Sequence, residues 1–404
     1  MWEIQEGTCP SHLAVFNDCQ FDSMVTDPPA GIGFMGKKWD KDKGGRDAWI
    51  EDMAATYREC LRVLKPGSHG LVWALPRTSH WTATALENAG FEIRDVVHHL
   101  FGTGFPKSLD VSKATDAAKQ WDGWGTALKP AAEHWILVRK PLIGTVAANV
   151  LKHGTGGINV DGCRVGTTKD VPASAPKDRV GQVAKGDERG RTMGTSGFNP
   201  NVGRWPPHVV LDDEAAAMLD EQSGARRSTL TGRADPAVIH APISKAENRS
   251  HDWGREGASQ GALYADSGGA SRFFPRFKYQ AKPSTKEKSA GLEHLPTLSG
   301  YEATGRRNGE AGLKSPRAGA GRTGNARNPH PTVKPIELMR WLCRLITPPG
   351  GTVLDPFAGS GTTGCAAVLE GFDFVGVEQS AEYIEVARSR IAHWERVAND
   401  RVGA

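Results

Sequence analysis

The run from Val353 to Gly364, Val-Leu-Asp-Pro-Phe-Ala-Gly-Ser-Gly-Thr-Thr-Gly, restricts the fold more than any other stretch. It reads as an apolar strand that ends in a glycine-rich turn and opens straight into a helix. Such a passage needs neighbouring strands on both sides and helices covering the sheet. Glycines there let backbone approach a ligand, and the helix N-terminus supplies free N–H groups. Seventeen residues after Gly361, at the end of the next strand Phe374-Val375-Gly376-Val377, stands Glu378. An acid at that place can accept both hydroxyls of a ribose.

The spacing of Gly359, Gly361 and Gly364 is a weak signal alone, and its flank sharpens it. Asp355 at the strand end can hold a ligand ammonium, and Phe357 can line an adenine or methionyl pocket. This flank favours S-adenosylmethionine over NAD as the ligand.

Around this passage, apolar runs alternate with helical periodicity in two zones. Strands are expected at 23–26, 69–75, 92–100 and 134–138, with helices at 47–64 and 78–89. The later zone gives helices at 335–346, 361–370 and 380–396 and strands at 352–355 and 372–378. Alternation of this kind implies a parallel sheet with helices on its faces. The zone between is punctuated by Gly, Ser, Pro and Asn, and only 211–222 reads as helix. The expected organisation is one α/β sheet, Rossmann-like, built from 1–164 and 326–404 and interrupted by a region at 165–325.

Charge separates the same zones. Residues 165–330 hold 25 Lys and Arg against 18 Asp and Glu, whereas the whole chain is only +4. Within that zone Arg272, Phe273, Phe274, Arg276, Phe277, Lys278 and Tyr279 interleave basic and aromatic side chains before Lys282, Lys286 and Lys288. The pattern suits a polyanion with stackable bases and equally a solvated strand edge with an apolar inner face. The six Cys include no CxxC pair, so neither a disulfide framework nor a zinc site is expected. No apolar run approaches the ~20 residues that span a bilayer. The start, Met-Trp-Glu-Ile-Gln-Glu, lacks the basic and apolar regions of a signal peptide. A cytoplasmic location without membrane or metal is the expectation.

A second motif, Val25-Thr26-Asp27-Pro28-Pro29-Ala30-Gly31-Ile32, follows a strand directly. Consecutive prolines stiffen the backbone and leave their carbonyls free at the strand's C-terminal edge, where α/β ligand sites lie. A carboxylate beside a fixed carbonyl is what an exocyclic amine requires. Its lone pair is delocalised into the ring, and accepting both of its hydrogens lets the nitrogen pyramidalise and attack a sulfonium methyl in line. No Pro-Cys nucleophile is present. The bland alternative is a rigid turn after a strand.

With both motifs in this order, the sequence resembles the amino-methylating DNA methyltransferases of the β arrangement, in which the catalytic Asp-Pro-Pro-Tyr motif precedes a target-recognition segment and the cofactor motif comes last. It is especially similar to bacterial and phage-borne site-specific DNA methylases. The matches include Phe34 to Asp40 (Phe-Met-Gly-Lys-Lys-Trp-Asp), Gly104 to Asp110, Gly156 to Gly162, Gly203 to Pro206 and Asn328 to Pro335 (Asn-Pro-His-Pro-Thr-Val-Lys-Pro). The resemblance covers residues 12–396. It implies S-adenosylmethionine as cofactor, double-stranded DNA as substrate, with a homodimer as one permitted assembly, and methylation of adenine N6, with cytosine N4 as the runner-up. It also implies that Thr332 and Lys334 lie near the cofactor and that Asp18 contacts its adenine.

Where the family has Tyr, this chain has Ala30, which has no π-face on which a flipped base can stack. Phe34 or Trp39 compensates, or the chain is a silent cofactor-binding DNA-recognition protein, or Ala30 is an introduced substitution. The intact neighbours favour the last. Lys37 and Lys38 are read as phosphate contacts or solvated lysines. His98, His99 and His330 are read as structural or hydrogen-bonding; Trp121 and Trp124 could stack bases, with packing onto the domain the favoured reading.

Overall fold

Side-chain alternation along the strands sets the architecture. Val25, Leu71, Trp135 and Val353 face one side of a sheet, where they pack on the helices Ile336–Ile346, Thr362–Leu369 and Ala381–Val402. Their neighbours Met24, Val72, Ile136 and Leu354 face the other side, against the helices Arg46–Val63 and Ser79–Asn88. The core is therefore two apolar layers with the sheet between them, as the period of two in a buried strand requires. The computed structural model describes residues 1–34, 38–102, 104, 108–113, 115–166, 203–227, 267–277, 284–298 and 326–402.

The strands among these residues are β1 (Trp2–Glu6), β2 (Phe21–Thr26), β3 (Leu64–Ala74), β4 (Glu92–Leu100), β5 (Ala132–Arg139), β6 (Val209–Asp212), β7 (Arg226–Arg227), β8 (Ser267–Gly268), β9 (Arg276–Phe277), β10 (Thr352–Asp355) and β11 (Asp373–Glu378). Nine form one sheet in the order β1-β11-β10-β2-β3-β5-β4-β6-β9, and β7 and β8 form a separate ribbon. This is the expected Rossmann-like α/β arrangement, with strands from both ends of the chain in one sheet, but β6 and β9 from the middle region extend its far edge, where that region was expected only to interrupt the sheet.

Three details differ from the sequence expectation. The sheet is mixed, because β5 runs antiparallel to both β3 and β4. Parallel neighbours need a crossover element, but the described part of the connection from β4 to β5 carries only the short 3₁₀ turns Val111–Lys113 and Asp116–Trp121, so the chain folds back beside the strand it left. The edge strand β1 was not expected, since Trp-Glu-Ile-Gln-Glu carries little apolar signal; it pairs with β11 from Trp2↔Phe374 to Glu6↔Glu378. The helix expected at 211–222 starts two residues late, because Leu211 and Asp212 belong to β6 and Asp212 caps the helix Asp213–Ser223 by accepting the Ala215 N–H at 2.5 Å. No helix among the described residues is long and apolar enough to cross a membrane.

The helix Thr362–Leu369 lies close to the sheet because Gly364 has no side chain. A Cβ there would come within 2.7 Å of the Phe374 ring and would also strike Ile391. Overpacking of this kind costs about 1–3 kcal/mol. Gly364→Ala is expected to lower the unfolding free energy by that amount, read as a lower urea midpoint at an unchanged m-value.

Candidate active site

A cleft of about 650 Å³ opens at the C-terminal ends of β1, β2, β3, β10 and β11, and both motifs line it. The volume suits a cofactor-sized ligand. On the β10 side, Asp355 is 2% exposed, and its Oδ1 accepts hydrogen bonds from Thr26 Oγ1 at 2.6 Å and the Phe357 N–H at 3.1 Å. Its Oδ2 accepts one from Thr363 Oγ1 at 2.6 Å. A carboxylate oxygen takes about two such bonds, so Oδ2 retains one open position. Burial pushes this carboxyl up to about 6 in spite of the three donors.

Glu378 is arranged in the same way: Oε2 accepts the Gly359 N–H at 2.9 Å and Oε1 the Ser380 N–H at 2.8 Å, with the Gln379 N–H as a further donor to the carboxylate. Burial raises its pKa, opposed by these backbone donors. Gly359 has φ +52°, and a Cβ on it would lie 2.8 Å from His330 Nε2, so this floor of the cleft must be bare backbone. Phe357, Gly359, Thr332 and Tyr383 line the same space. Gly361 does not line it. Its φ is +74°, and a Cβ would meet Ala387 at 2.8 Å, so Gly361 permits close packing of the turn on the helix Ala381–Val402. A bare turn, a helix N-terminus and an acid at the neighbouring strand end fit the ribose and methionyl parts of S-adenosylmethionine.

On the β2 side, Asp27, Pro28, Pro29 and Ala30 form the adjoining wall. Asp40, 1% exposed, holds this loop by accepting the N–H groups of Ala30 (2.6 Å) and Gly31 (3.1 Å) on Oδ1 and that of Phe34 (2.6 Å) on Oδ2. Thr78 Oγ1 donates to the Ala30 carbonyl at 3.2 Å. The loop conformation is thus fixed by backbone bonds, independent of the side chain at 30. Lys334 Nζ lies 3.2 Å from Asp27 Oδ2 and 4.0 Å from the centroid of the Trp73 ring. Burial pushes the Asp27 carboxyl up to about 6, with Lys334 pulling it down and Glu133 and Asp40 adding to the rise.

Asp18 is not brought to the cleft. It sits before β2, at the opposite end of the sheet, and pairs with Arg62 at 2.6 Å. The space near the cofactor turn is lined instead by Gly7, Thr8 and Cys9, which follow β1, with Cys9 Sγ donating to the Pro356 carbonyl at 3.3 Å. Burial, with Asp355 and Glu378 nearby, pushes the Cys9 thiol up to about 12. Sequence reasoning missed these residues along with β1. It also missed Glu133, which lines the cleft from β5, and Tyr383, whose ring meets His330 edge-on at 4.7 Å.

Lys37 and the interleaved Lys278, Tyr279 and Lys282 lie outside the described residues, as does the Lys38 side chain. Arg276 pairs with Asp220 at 3.2 Å. Trp121 and Trp124 are exposed and meet each other edge-on at 5.2 Å, so they are not packed onto the domain as expected. No group of three potential metal ligands occurs among the described residues.

The raised Asp27 pKa fixes the sign of a pH effect. The ordinary value is 3.8 and the folded value about 6. The stability contributed by the protonated acid is fully present below pH 3.8 and is lost as pH rises through 6. Asp27→Asn, which cannot ionise, is expected to gain about 2 kcal/mol relative to the parent between pH 4.5 and 7.5, read from urea unfolding at the two pH values.

Residues 241–389 match the family model for N6/N4 methyltransferases, described as DNA methylase. Over 62 residues the chain is 45% identical to the DNA adenine methyltransferase YhdJ of Escherichia coli K12, a stretch that is 15% of this chain and 21% of that protein. Over 61 residues it is 43% identical to the Type II methyltransferase M2.MboI of Moraxella bovis, 15% of this chain and 22% of the relative. The match thus spans about a fifth of the length of these curated relatives. Among solved structures, the cytosine-N4-specific PvuII DNA methyltransferase aligns over 98% of this chain and 93% of its own, with a TM-score of 0.45 and 12% identity. That agreement is loose, and the strand order given above describes the fold without it. The segment matched by the family model runs through Glu378 into the final helix, and the Asp-Pro-Pro motif follows the strand that pairs with β10.

Proposed function

We propose that the chain transfers a methyl group from S-adenosylmethionine to the exocyclic N6 of an adenine flipped out of double-stranded DNA, at a rate limited by Ala30. The observation that carries this reading is the shared cleft: Asp27, Pro28 and Pro29 at the end of β2 face the same space as Asp355, Phe357 and Gly359 after β10 and Glu378 at the end of β11. Residues 1–164 supply the catalytic half, 326–404 the cofactor half, and 165–325 the target recognition. The adenine designation of the Escherichia coli relative supports N6 over cytosine N4.

When bound, the cofactor supplies an electrophilic methyl on sulfur. Glu378 is placed to accept the ribose hydroxyls, and Asp355 Oδ2 and the turn at 357–360 to hold the remainder. Asp27 accepts one hydrogen of the target amine and the fixed carbonyls of the proline pair the other, which draws the nitrogen lone pair out of conjugation. Burial makes Asp27 a better proton acceptor than an exposed Asp, so it can take the proton that the nitrogen loses.

Removing one charged hydrogen-bond acceptor costs about 1.5–3 kcal/mol. Glu378→Ala is therefore expected to weaken S-adenosylmethionine about 10- to 100-fold by calorimetry, and unchanged affinity would sink the ribose assignment. Ala30 leaves the base held by one edge, without stacking worth ~1–3 kcal/mol. Trp39 lies nearly parallel to His330, with ring centroids 6.4 Å apart. Asp40 and Thr78 hold the loop by its backbone, so a different side chain at position 30 leaves those bonds in place. Ala30→Tyr is expected to raise methyl transfer to DNA about 10²-fold, and adding Asp27→Ala to abolish it, with little change in cofactor affinity. Robust transfer by the parent, unimproved by an aromatic at 30, would overturn the impaired reading. Methylome sequencing of cells expressing Ala30→Tyr identifies the base and the site; methylcytosine would favour the N4 alternative, and no mark at all the silent DNA-recognition alternative.

A further inference from the structure

Because β5 runs against its neighbours, it meets the cleft with its N-terminal end. Trp73 pairs with Trp135 and Ala74 with His134. Glu133, two residues from Trp135, therefore shares the face of Trp73 and Trp135, and it lines the cleft. Thr26 pairs with Val72, which places Asp27 beside Trp73. Three adjacent strands thus deliver Asp27, Trp73 and Glu133 to one face. Lys334 closes over Asp27 and Trp73 from the segment before the helix Ile336–Ile346, with Nζ 3.2 Å from Asp27 Oδ2 and 4.0 Å from the Trp73 centroid, and its charge also acts on Glu133 through space. Behind Glu133, its β4 partner His99 places Nδ1 4.0 Å from Oε2.

We propose that Glu133 is a positioning residue for the transfer, sharing the Lys334 ammonium with Asp27 so that the lysine fixes one Asp27 oxygen without neutralising the carboxylate. This deepens the function proposed above and rests on it. An ammonium buried against a single carboxylate forms a tight pair that accepts a further proton poorly. Two carboxylates around one ammonium leave a net charge of −1, and Asp27 Oδ1 stays available to the target amine. As the nitrogen gains its methyl, one amine proton passes to this oxygen and from there to solvent.

The two acids are driven apart in the sense this division requires. Burial opposes the Glu133 charge, yet Lys334 and His99 hold that carboxyl down at about 2, while burial pushes Asp27 up to about 6. Glu133 is therefore the permanently ionised partner and Asp27 the one that exchanges a proton. The charged groups around Asp27 are Lys334, Glu133, Asp40 and Asp355.

The test is Glu133→Gln in the full chain, with two independent readings. In single-turnover transfer to DNA, in the parent or in Ala30→Tyr, the rate is expected to fall about 10-fold or more. The acid limb of its pH profile should move about one unit lower, because Lys334 then binds Asp27 alone. Cofactor affinity should change less than twofold. Glu133→Asp, which keeps the charge, should retain the limb. The second reading needs no turnover: the pH dependence of urea unfolding between 4.5 and 7.5 should flatten in Glu133→Gln and be unaffected by it once Asp27→Asn is present. Identical slopes with and without Glu133, or loss of rate and cofactor affinity together with no limb shift, would overturn the proposal and leave Glu133 a packing residue. Absence of any transfer by the parent or by Ala30→Tyr would refute the methylation reading instead, and the unfolding slopes would still decide whether Glu133 tunes Asp27.

Discussion

The pairing of β2 with β10 is the contact on which the site depends, and carboxylates latch it at both ends. At one end Asp22 accepts the Thr352 N–H at 2.9 Å and holds Lys65 at 2.5 Å. At the other, Asp355 accepts Thr26 Oγ1 at 2.6 Å. Strands more than 300 residues apart in the chain are thereby registered, Val353 with Ser23 and Leu354 with Met24. Closing so long a loop costs only slowly more than closing a short one, whereas each buried charged hydrogen bond contributes about 1.5–3 kcal/mol. Thr26 and Asp27 are consecutive, so the bond that aligns the strands also sets the distance between the Asp-Pro-Pro wall and the glycine-rich turn.

The cleft so formed is acidic. Asp27, Asp40, Glu133, Asp355 and Glu378 line it, with Lys334 and the rim residues Lys41, Lys43 and Arg77 as basic side chains. Backbone or hydroxyl donors occupy part of every carboxylate on the cofactor side, which fixes its direction, and burial still raises the pKa values of Asp355 and Glu378. A ligand bearing positive charge on an ammonium and a sulfonium offsets that destabilisation, whereas an anionic dinucleotide would add to it. The electrostatics therefore favour the same cofactor as the Asp-Pro-Phe flank does, by a different physical route.

Most of this was legible in the sequence wherever the chain obeys the rules of parallel α/β sheets. The turn at 355–361, Glu378 and the Asp27 wall all sit at C-terminal strand ends, where such rules look for ligand contacts. The misplacements follow from the same rules. Asp18 lies before a strand and so at the wrong end of the sheet. Thr8 and Cys9 lie after a strand, but β1 has too little apolar signal to reveal it. Glu133 lies at the N-terminal end of its strand, which reaches the cleft only because β5 is reversed, and no periodicity in residues 132–139 reports the direction of a strand.

Segment 284–298 is tied to the cleft through backbone bonds as well as through an acid. Glu287 Oε1 accepts the N–H of Ile336 at 2.9 Å, at the first residue of the helix that follows Lys334 and Pro335. Asn328 Nδ2 donates to the Lys288 carbonyl at 3.2 Å, the Arg327 N–H to Ser289 Oγ at 3.1 Å, and Leu298 bridges Ala326. An acid at a helix N-terminus satisfies a donor the helix cannot satisfy itself and complements its dipole, so segment 284–298 helps set where residues 326–336 run. Lys334 belongs to that run, and its ammonium reaches Asp27. The place of the Lys334 ammonium against Asp27 therefore depends on how segment 284–298 is seated.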